Sequence, residues 1–193
     1  MGIEFELKYQ ATEELLEAIR QSFSGAEQLF SMETTYYDTP AGSLSRRCYT
    51  LRRRMENQTS VCTLKAPVSG PGRGEWECIC DRIEAAISEL CKLGAPADLL
   101  TLTAEGVLPV CGARFRRIAK TLTLPDATLE LALDSGTLYG GGKTLPLCEV
   151  EVELKSGTPE ACAAFAQHLA TRFCLKPERR SKFRRALALY QGA

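Results

Sequence analysis

GIEFELKYQ, residues 2–10, carries charge on every second position: Glu4, Glu6 and Lys8. On a β-strand those side chains share one face, while Ile3, Phe5, Leu7 and Tyr9 share the other. The pattern recurs along the chain. In YTLRRRM Arg52 and Arg54 lie with Thr50, and in VCTLKA Lys65 lies with Thr63. In RGEWECIC Arg73, Glu75 and Glu77 oppose Trp76, Cys78 and Cys80. LELALD sets Glu130 and Asp134 against Leu129, Leu131 and Leu133, and CEVEVELK sets Glu149, Glu151 and Glu153 against Val150, Val152 and Leu154. A single such strand reads as one solvated face of an antiparallel sheet. Six strands together, with amphipathic helices that also need sheet to cover, favour apolar faces turned outward beneath helices and charged faces lining a tunnel.

The choice of charges supports an enclosed face. Acid clusters with acid and Arg with Arg, and carboxylates about 7 Å apart repel by roughly 2 kcal/mol at an effective dielectric near 20. Such clusters need counterions. A hard divalent cation suits the carboxylates, while Arg forks and Lys ammonium groups suit phosphate oxygens, so a metal-bound polyphosphate is the expected occupant.

The 193 residues fit one domain, and the 24 basic and 24 acidic residues balance, which removes the excess positive charge of a general nucleic-acid binder. Nine cysteines at irregular spacing build neither a zinc site nor a redox pair. They read as reduced apolar residues of a soluble cytoplasmic protein, and no apolar run reaches the ~18 residues of a membrane span. Helices are expected in ATEELLEAIRQSF with Thr12 as cap, in DRIEAAISELCKLG with an Asp81–Glu84 capping pair and Gly94 as stop, briefly after Pro96, and in TPEACAAFAQHLATRF with Thr158 as cap. ERRSKFRRALALY reads as a helix or a strand. Strands are expected around 3–9, 48–55, 60–66, 74–80, 115–124, 128–134 and 147–155, with PAGS, PVSGPGRG and YGGGKTLP as loops. The fold class is therefore α+β.

In order, Glu4-x-Glu6-x-Lys8, YYDTP, LRRR, TLK, RGEWE, RFRR, ELALDSG, CEVEVELK and RRSKFRR resemble the motifs of the CYTH superfamily, the triphosphate tunnel metalloenzymes. The resemblance spans nearly the whole chain, and its Glu-Trp-Glu and Glu-Leu-Ala-Leu-Asp segments are most similar to the bacterial inorganic triphosphatases. It implies one domain over residues 1–193, an eight-stranded antiparallel β-barrel tunnel with helices outside. It also implies hydrolysis of tripolyphosphate or a related small-molecule triphosphate with Mg²⁺ or Mn²⁺. By motif, Glu4, Glu6, Asp134, Glu149 and Glu151 correspond to metal ligands, with Glu153 a weaker third acid on its strand. Lys8, Arg52, Arg54, Lys65, Arg73, Arg117 and Lys182 correspond to phosphate-binding residues; Glu4, Glu6 and Lys8 are the catalytic candidates, and Glu75 orients Arg73. In CGARFRRIAK, Arg117 shares a face with Ala119, Thr121 and Thr123, which turns it inward and leaves Arg114 and Arg116 outside, although Lys120 interrupts the apolar face.

Asp38 reads as turn chemistry, Trp76 as packing under a helix, and His168 as a surface residue. Class IV adenylate cyclase and thiamine triphosphatase are the alternatives within the same family, a polyphosphate-binding module is the alternative outside enzymes, and an RNA 5′-triphosphatase is more distant. No nucleic-acid or membrane partner is expected, and the oligomeric state is left open.

Overall fold

The computed structural model describes residues 2–68 and 73–192, with the side chains of residues 2–4 outside the described set. Residues 69–72 of the expected Gly/Pro loop also fall outside it. Ten strand segments form one antiparallel sheet: β1 (Gly2–Glu4), β2 (Glu6–Gln10), β3 (Gln28–Asp38), β4 (Thr50–Glu56), β5 (Thr59–Pro67), β6 (Arg73–Ile79), β7 (Leu108–Thr123), β8 (Ala127–Gly140), β9 (Lys143–Gly157) and β10 (Lys176–Pro177). Their order is β1-β6-β5-β4-β3-β7-β8-β9-β2-β10. Residues 2–10 bridge its two ends. Glu4 pairs with Arg73 of β6, whereas Glu6 pairs with Glu153 of β9, and Leu154 N donates to Phe5 O at 2.9 Å. With β1 and β2 taken as one strand and the two-residue β10 set aside, eight strands curl into a tunnel.

Six helices complete the described chain: α1 (Glu13–Ser22), α2 (Ser43–Arg46), α3 (Ile83–Lys92), α4 (Asp98–Leu102), α5 (Pro159–Phe173) and α6 (Lys182–Gln191). Thr12 and Thr158 cap α1 and α5 as their positions predict, accepting from Leu15 N and Ala161 N. The Asp81–Glu84 capping pair does not form: the N-cap of α3 is Arg82, without a side-chain hydrogen bond. Gly94, at φ +90°, follows the end of that helix. YGGGKTLP is tighter than a loop. Gly141 and Gly142, at φ +57° and +74°, supply the two positive dihedrals of a hairpin turn, so β8 and β9 pair from Gly140–Lys143 onward.

Three apolar cores explain the alternation. One lies outside the sheet, where Leu131, Leu133, Val150 and Val152 meet Ile19 of α1 and Leu169 of α5. A second, also outside, joins Leu51, Leu64 and Trp76 to Ile87 and Leu90 of α3, so Trp76 does pack under a helix. Each fully buried aliphatic side chain there contributes about 1.5–3 kcal/mol. The third lies inside: Met32, Tyr36, Phe115, Leu138 and Leu147 pack with Phe183, Ala186 and Leu187 of α6. The outer helices thus leave β2, β8, β9 and β4–β6 with charged inner faces, while α6 lies against the concave side and plugs one end. This helix differs from the expectation of helices only outside. It also explains β3, which was not anticipated as a strand: its inner residues Met32 and Tyr36 are apolar because α6 meets them, and its outer residues Leu29, Ser31 and Glu33 are exposed.

Lys120 interrupts the apolar outer face for a local reason. Its buried ammonium group donates to the carbonyls of Arg20 (2.8 Å) and Phe23 (2.5 Å) at the end of α1 and lies 3.2 Å from Glu27. The hydrogen bond from Arg20, reinforced by Lys120, lowers the Glu27 pKa from 4.5 to about 2. A depressed carboxylate pKa contributes stability above 4.5 that is lost as pH falls toward 2. Glu27→Gln is therefore expected to flatten the fall of the melting temperature across that window, measured by thermal denaturation; an unchanged acid limb would show that the cluster carries no such linkage.

Candidate active site

The acidic wall of the tunnel comes from β8 and β9. Asp134 and Glu149 are paired across those strands, and Glu151 lies two residues along, on the same face. Oxygens of Asp134, Glu149 and Glu151 approach within 4.8 Å of one another, and all three side chains are buried. Arg117 grips this cluster with a two-pronged contact to Asp134, Nε–Oδ1 2.7 Å and Nη2–Oδ2 2.8 Å, and also reaches Glu151. From α6, Lys182 lies 2.8 Å from Asp134 and 2.6 Å from Glu151 and also contacts Glu149.

Electrostatics separates the two glutamates. Burial raises the Glu149 pKa, and neighbouring Glu151 adds to the shift, against Lys182 and Arg185. For Glu151 burial acts the same way, but Lys182 and Arg117 outweigh it and hold the carboxyl well below its usual range. Burial opposes the charge on Lys182, yet Asp134, Glu151 and Glu149 overcome it and raise its pKa. Lys8 behaves alike: it contacts Glu6 at 2.8 Å, and Glu6, Glu151 and Glu149 raise its pKa despite burial.

The basic wall stands on β4, β5 and β6. Arg52 lies 3.5 Å from Glu75 and 3.8 Å from Glu77, and Lys65 lies 3.4 Å from Glu75. Arg54 donates through Nε to Thr34 Oγ1 at 3.1 Å and lies 3.5 Å from Glu56. Arg73 donates through Nη2 to the carbonyls of Cys48 (2.6 Å) and Lys65 (2.9 Å). The Arg54 pKa is lowered by burial first and then by the like charges of Arg52 and Arg117. Arg54 thus carries its charge against two like neighbours, although Arg52, Arg54 and Arg117 each also have a carboxylate partner.

Nearly every candidate thus reaches the inner face: Glu6, Lys8, Arg52, Arg54, Lys65, Arg73, Arg117, Asp134, Glu149, Glu151 and Lys182. The backbone of Glu4 pairs with Arg73, and its side chain lies outside the described residues. Arg114 and Arg116 are exposed, with Arg114 paired to Glu33 at 2.8 Å. Glu153 is half-buried beside Lys155 at 2.9 Å, and His168 is exposed. Asp38 does more than make a turn: its buried carboxylate accepts from Thr39 N, Leu44 N and Ser45 N and so holds the start of α2. Two residues of the site were missed. Arg185 binds Glu149 from α6, and Glu178 lies 3.9 Å from Arg185 and accepts from Gln10 at 3.0 Å. The i, i+3 spacing of Lys182 and Arg185 is the signal, readable once RRSKFRR is taken as a helix.

An all-carboxylate donor set with oxygens this close suits a hard divalent cation. Arg117, Lys182 and Arg185 balance Asp134, Glu149 and Glu151. Metal binding would require carboxylate oxygens to leave those partners.

The described residues include no helix long and apolar enough to cross a membrane. Comparison with known proteins agrees with the tunnel. An inorganic triphosphatase of Haemophilus influenzae is 30% identical over 139 residues, covering 70% of this chain, which spans only 39% of that relative. Among solved structures, HpAC1 from Hippeastrum, an adenylyl cyclase candidate whose dominant activity is that of a triphosphatase, superposes with TM-score 0.67 at 19% identity, over 98% of this chain and 96% of that one. An adenylate cyclase candidate from Bacillus halodurans gives TM-score 0.63 at 19% identity, over 95% and 96%. At such identities these two likenesses establish the fold alone. The CYTH domain family itself matches residues 2–187, a span that begins with the strand closing the tunnel and ends within the helix plugging it, and the chain belongs to that family.

Proposed function

We propose that the protein hydrolyses a phosphoanhydride bond of inorganic tripolyphosphate, or of a related small-molecule triphosphate, with Mg²⁺ or Mn²⁺. The observation that carries this reading is the meeting of buried Asp134, Glu149 and Glu151 with Arg52, Arg54, Lys65 and Arg73 on the inner face of one tunnel. A binding module for polyphosphate needs the cations but has no use for a tight carboxylate cluster, which repels the ligand.

The basic wall holds the triphosphate along the tunnel and spreads its charge over several donors. Arg117 and Lys182 exchange carboxylate partners for phosphate oxygens, which couples substrate binding to release of Glu151 and Asp134. Asp134, Glu149 and Glu151 would hold a divalent ion, which would supply positive charge to offset the negative charge developing on the phosphate oxygens. By motif Glu4 and Glu6 of the opening strand join the acidic side, and orientation of the attacking water is assigned to one of them. The oxygen of that water bonds to the terminal phosphorus, the anhydride oxygen leaves with pyrophosphate, and the proton passes to solvent. Glu4→Ala and Glu6→Ala are each expected to lower metal-dependent phosphate release by about a hundredfold; full activity in both would remove the role given to the opening strand.

The discriminating assay follows products from tripolyphosphate, ATP and thiamine triphosphate, each with Mg²⁺, Mn²⁺ or chelator. Preferential phosphate release from tripolyphosphate with metal is expected. Cyclic AMP and pyrophosphate from ATP would replace this reading with the cyclase.

A further inference from the structure

From the geometry at the plugged end of the tunnel we infer a second anion site, a chamber sized for one phosphate group and governed by Arg184. The chamber, partly open to solvent, has a volume of about 70 Å³ between the α2–β4 turn and the first turn of α6; Tyr49 and Phe183 line it beside the polar Ser45, Cys48, Thr50, Arg73, Ser181 and Arg184. That exceeds the roughly 10–15 Å³ that one water requires on the same measure and falls below the ~150 Å³ of a cavity that takes benzene. One tetrahedral phosphate fits a space of this size.

The polar lining presents donors. Arg184 is exposed, and among the described residues its guanidinium makes one hydrogen bond, to Cys48 Sγ at 3.8 Å, and no ion pair. Arg73 is held against the chamber wall by its bonds to the Cys48 and Lys65 carbonyls and to Thr50 Oγ1 at 3.4 Å. The hydroxyl oxygens of Thr50 and Ser181 both accept, from Arg73 and from Arg184 N, which leaves their protons to donate. Among the described residues, the nearby carboxylate of Asp38 is already engaged by the N–H groups of Thr39, Leu44 and Ser45 and by the Ser45 hydroxyl. Lys182, between Ser181 and Phe183, reaches the acid cluster, so the chamber lies one residue along α6 from the proposed reaction centre. Its use rests on the triphosphatase reading: cleavage of tripolyphosphate yields pyrophosphate and one phosphate, and the chamber receives that phosphate at the end α6 closes.

Cys48 provides a reporter inside the chamber, and Cys174, also exposed, provides a reference elsewhere. Iodoacetamide labelling of both thiols, read by peptide mass spectrometry under increasing inorganic phosphate with chelator present, tests binding without turnover. Phosphate is expected to slow labelling of Cys48 several-fold with a saturating midpoint and to leave Cys174 unchanged. Arg184→Ala is expected to raise that midpoint about tenfold, while kcat/KM for tripolyphosphate stays within about twofold. Labelling of Cys48 indifferent to phosphate, or a midpoint unmoved by Arg184→Ala, would overturn the site. Because labelling needs no catalysis, protection without tripolyphosphate hydrolysis would keep the site and reject the triphosphatase reading, and hydrolysis without protection would do the reverse.

Discussion

Lys182→Met is expected to lower the free energy of unfolding by about 3–5 kcal/mol and tripolyphosphate hydrolysis by at least about a hundredfold. The ammonium group of Lys182 is buried among Asp134, Glu149 and Glu151, and it joins α6 to the acidic wall. Removing it leaves Arg117 and Arg185 against three carboxylates that already approach within 4.8 Å, and the uncompensated charge is what destabilises. Urea denaturation measures the loss. Added Mg²⁺ or Mn²⁺ is expected to return part of it by supplying the missing positive charge. A variant as stable as the parent, with or without the ion, would mean that Lys182 does not balance the cluster.

Arg54→Gln should behave in the opposite way. Arg54 is buried beside Arg52 and Arg117, whose like charges and the cost of burial lower its pKa. Removing one of three crowded cations relieves repulsion in the ligand-free protein, so stability is expected to stay within about 1 kcal/mol of the parent or to rise. Substrate binding should suffer instead, because a charge-assisted contact of about 1.5–3 kcal/mol is lost, equivalent to a roughly 10- to 150-fold rise in KM. Steady-state kinetics with tripolyphosphate beside urea denaturation separates the two effects. Destabilisation of several kcal/mol with KM unchanged would identify Arg54 as a structural residue.

The contrast between Lys182 and Arg54 shows what the sequence made legible. Period-two alternation in β2, β4, β5, β6, β8 and β9 announced the charged faces, and the outward leucines and valines announced the helices that cover them. β3 was hidden because its polarity is reversed: Met32 and Tyr36 face a helix inside the tunnel, and Ser31 and Glu33 face water. Alternation identifies two faces of a strand and leaves open which one is enclosed. Residues 182–191 meet the same limit. From the sequence they read as a helix or a strand, and only the fold shows that Phe183, Ala186 and Leu187 share a buried side turned to the tunnel interior. Arg185 follows from the same placement, since its partners Glu149 and Glu178 are distant in the chain. Lys120, an irregularity in an apolar face, became intelligible only when the end of α1 was seen beneath it.

The most direct measurement is phosphate release from tripolyphosphate by the parent and by Glu151→Gln, each with Mg²⁺, Mn²⁺ or chelator. Release by the parent only with a divalent ion, and a fall of about a hundredfold or more in the variant, is the predicted result. Release that persists in chelator, or that Glu151→Gln leaves intact, would contradict an acidic wall and a basic wall acting on one triphosphate.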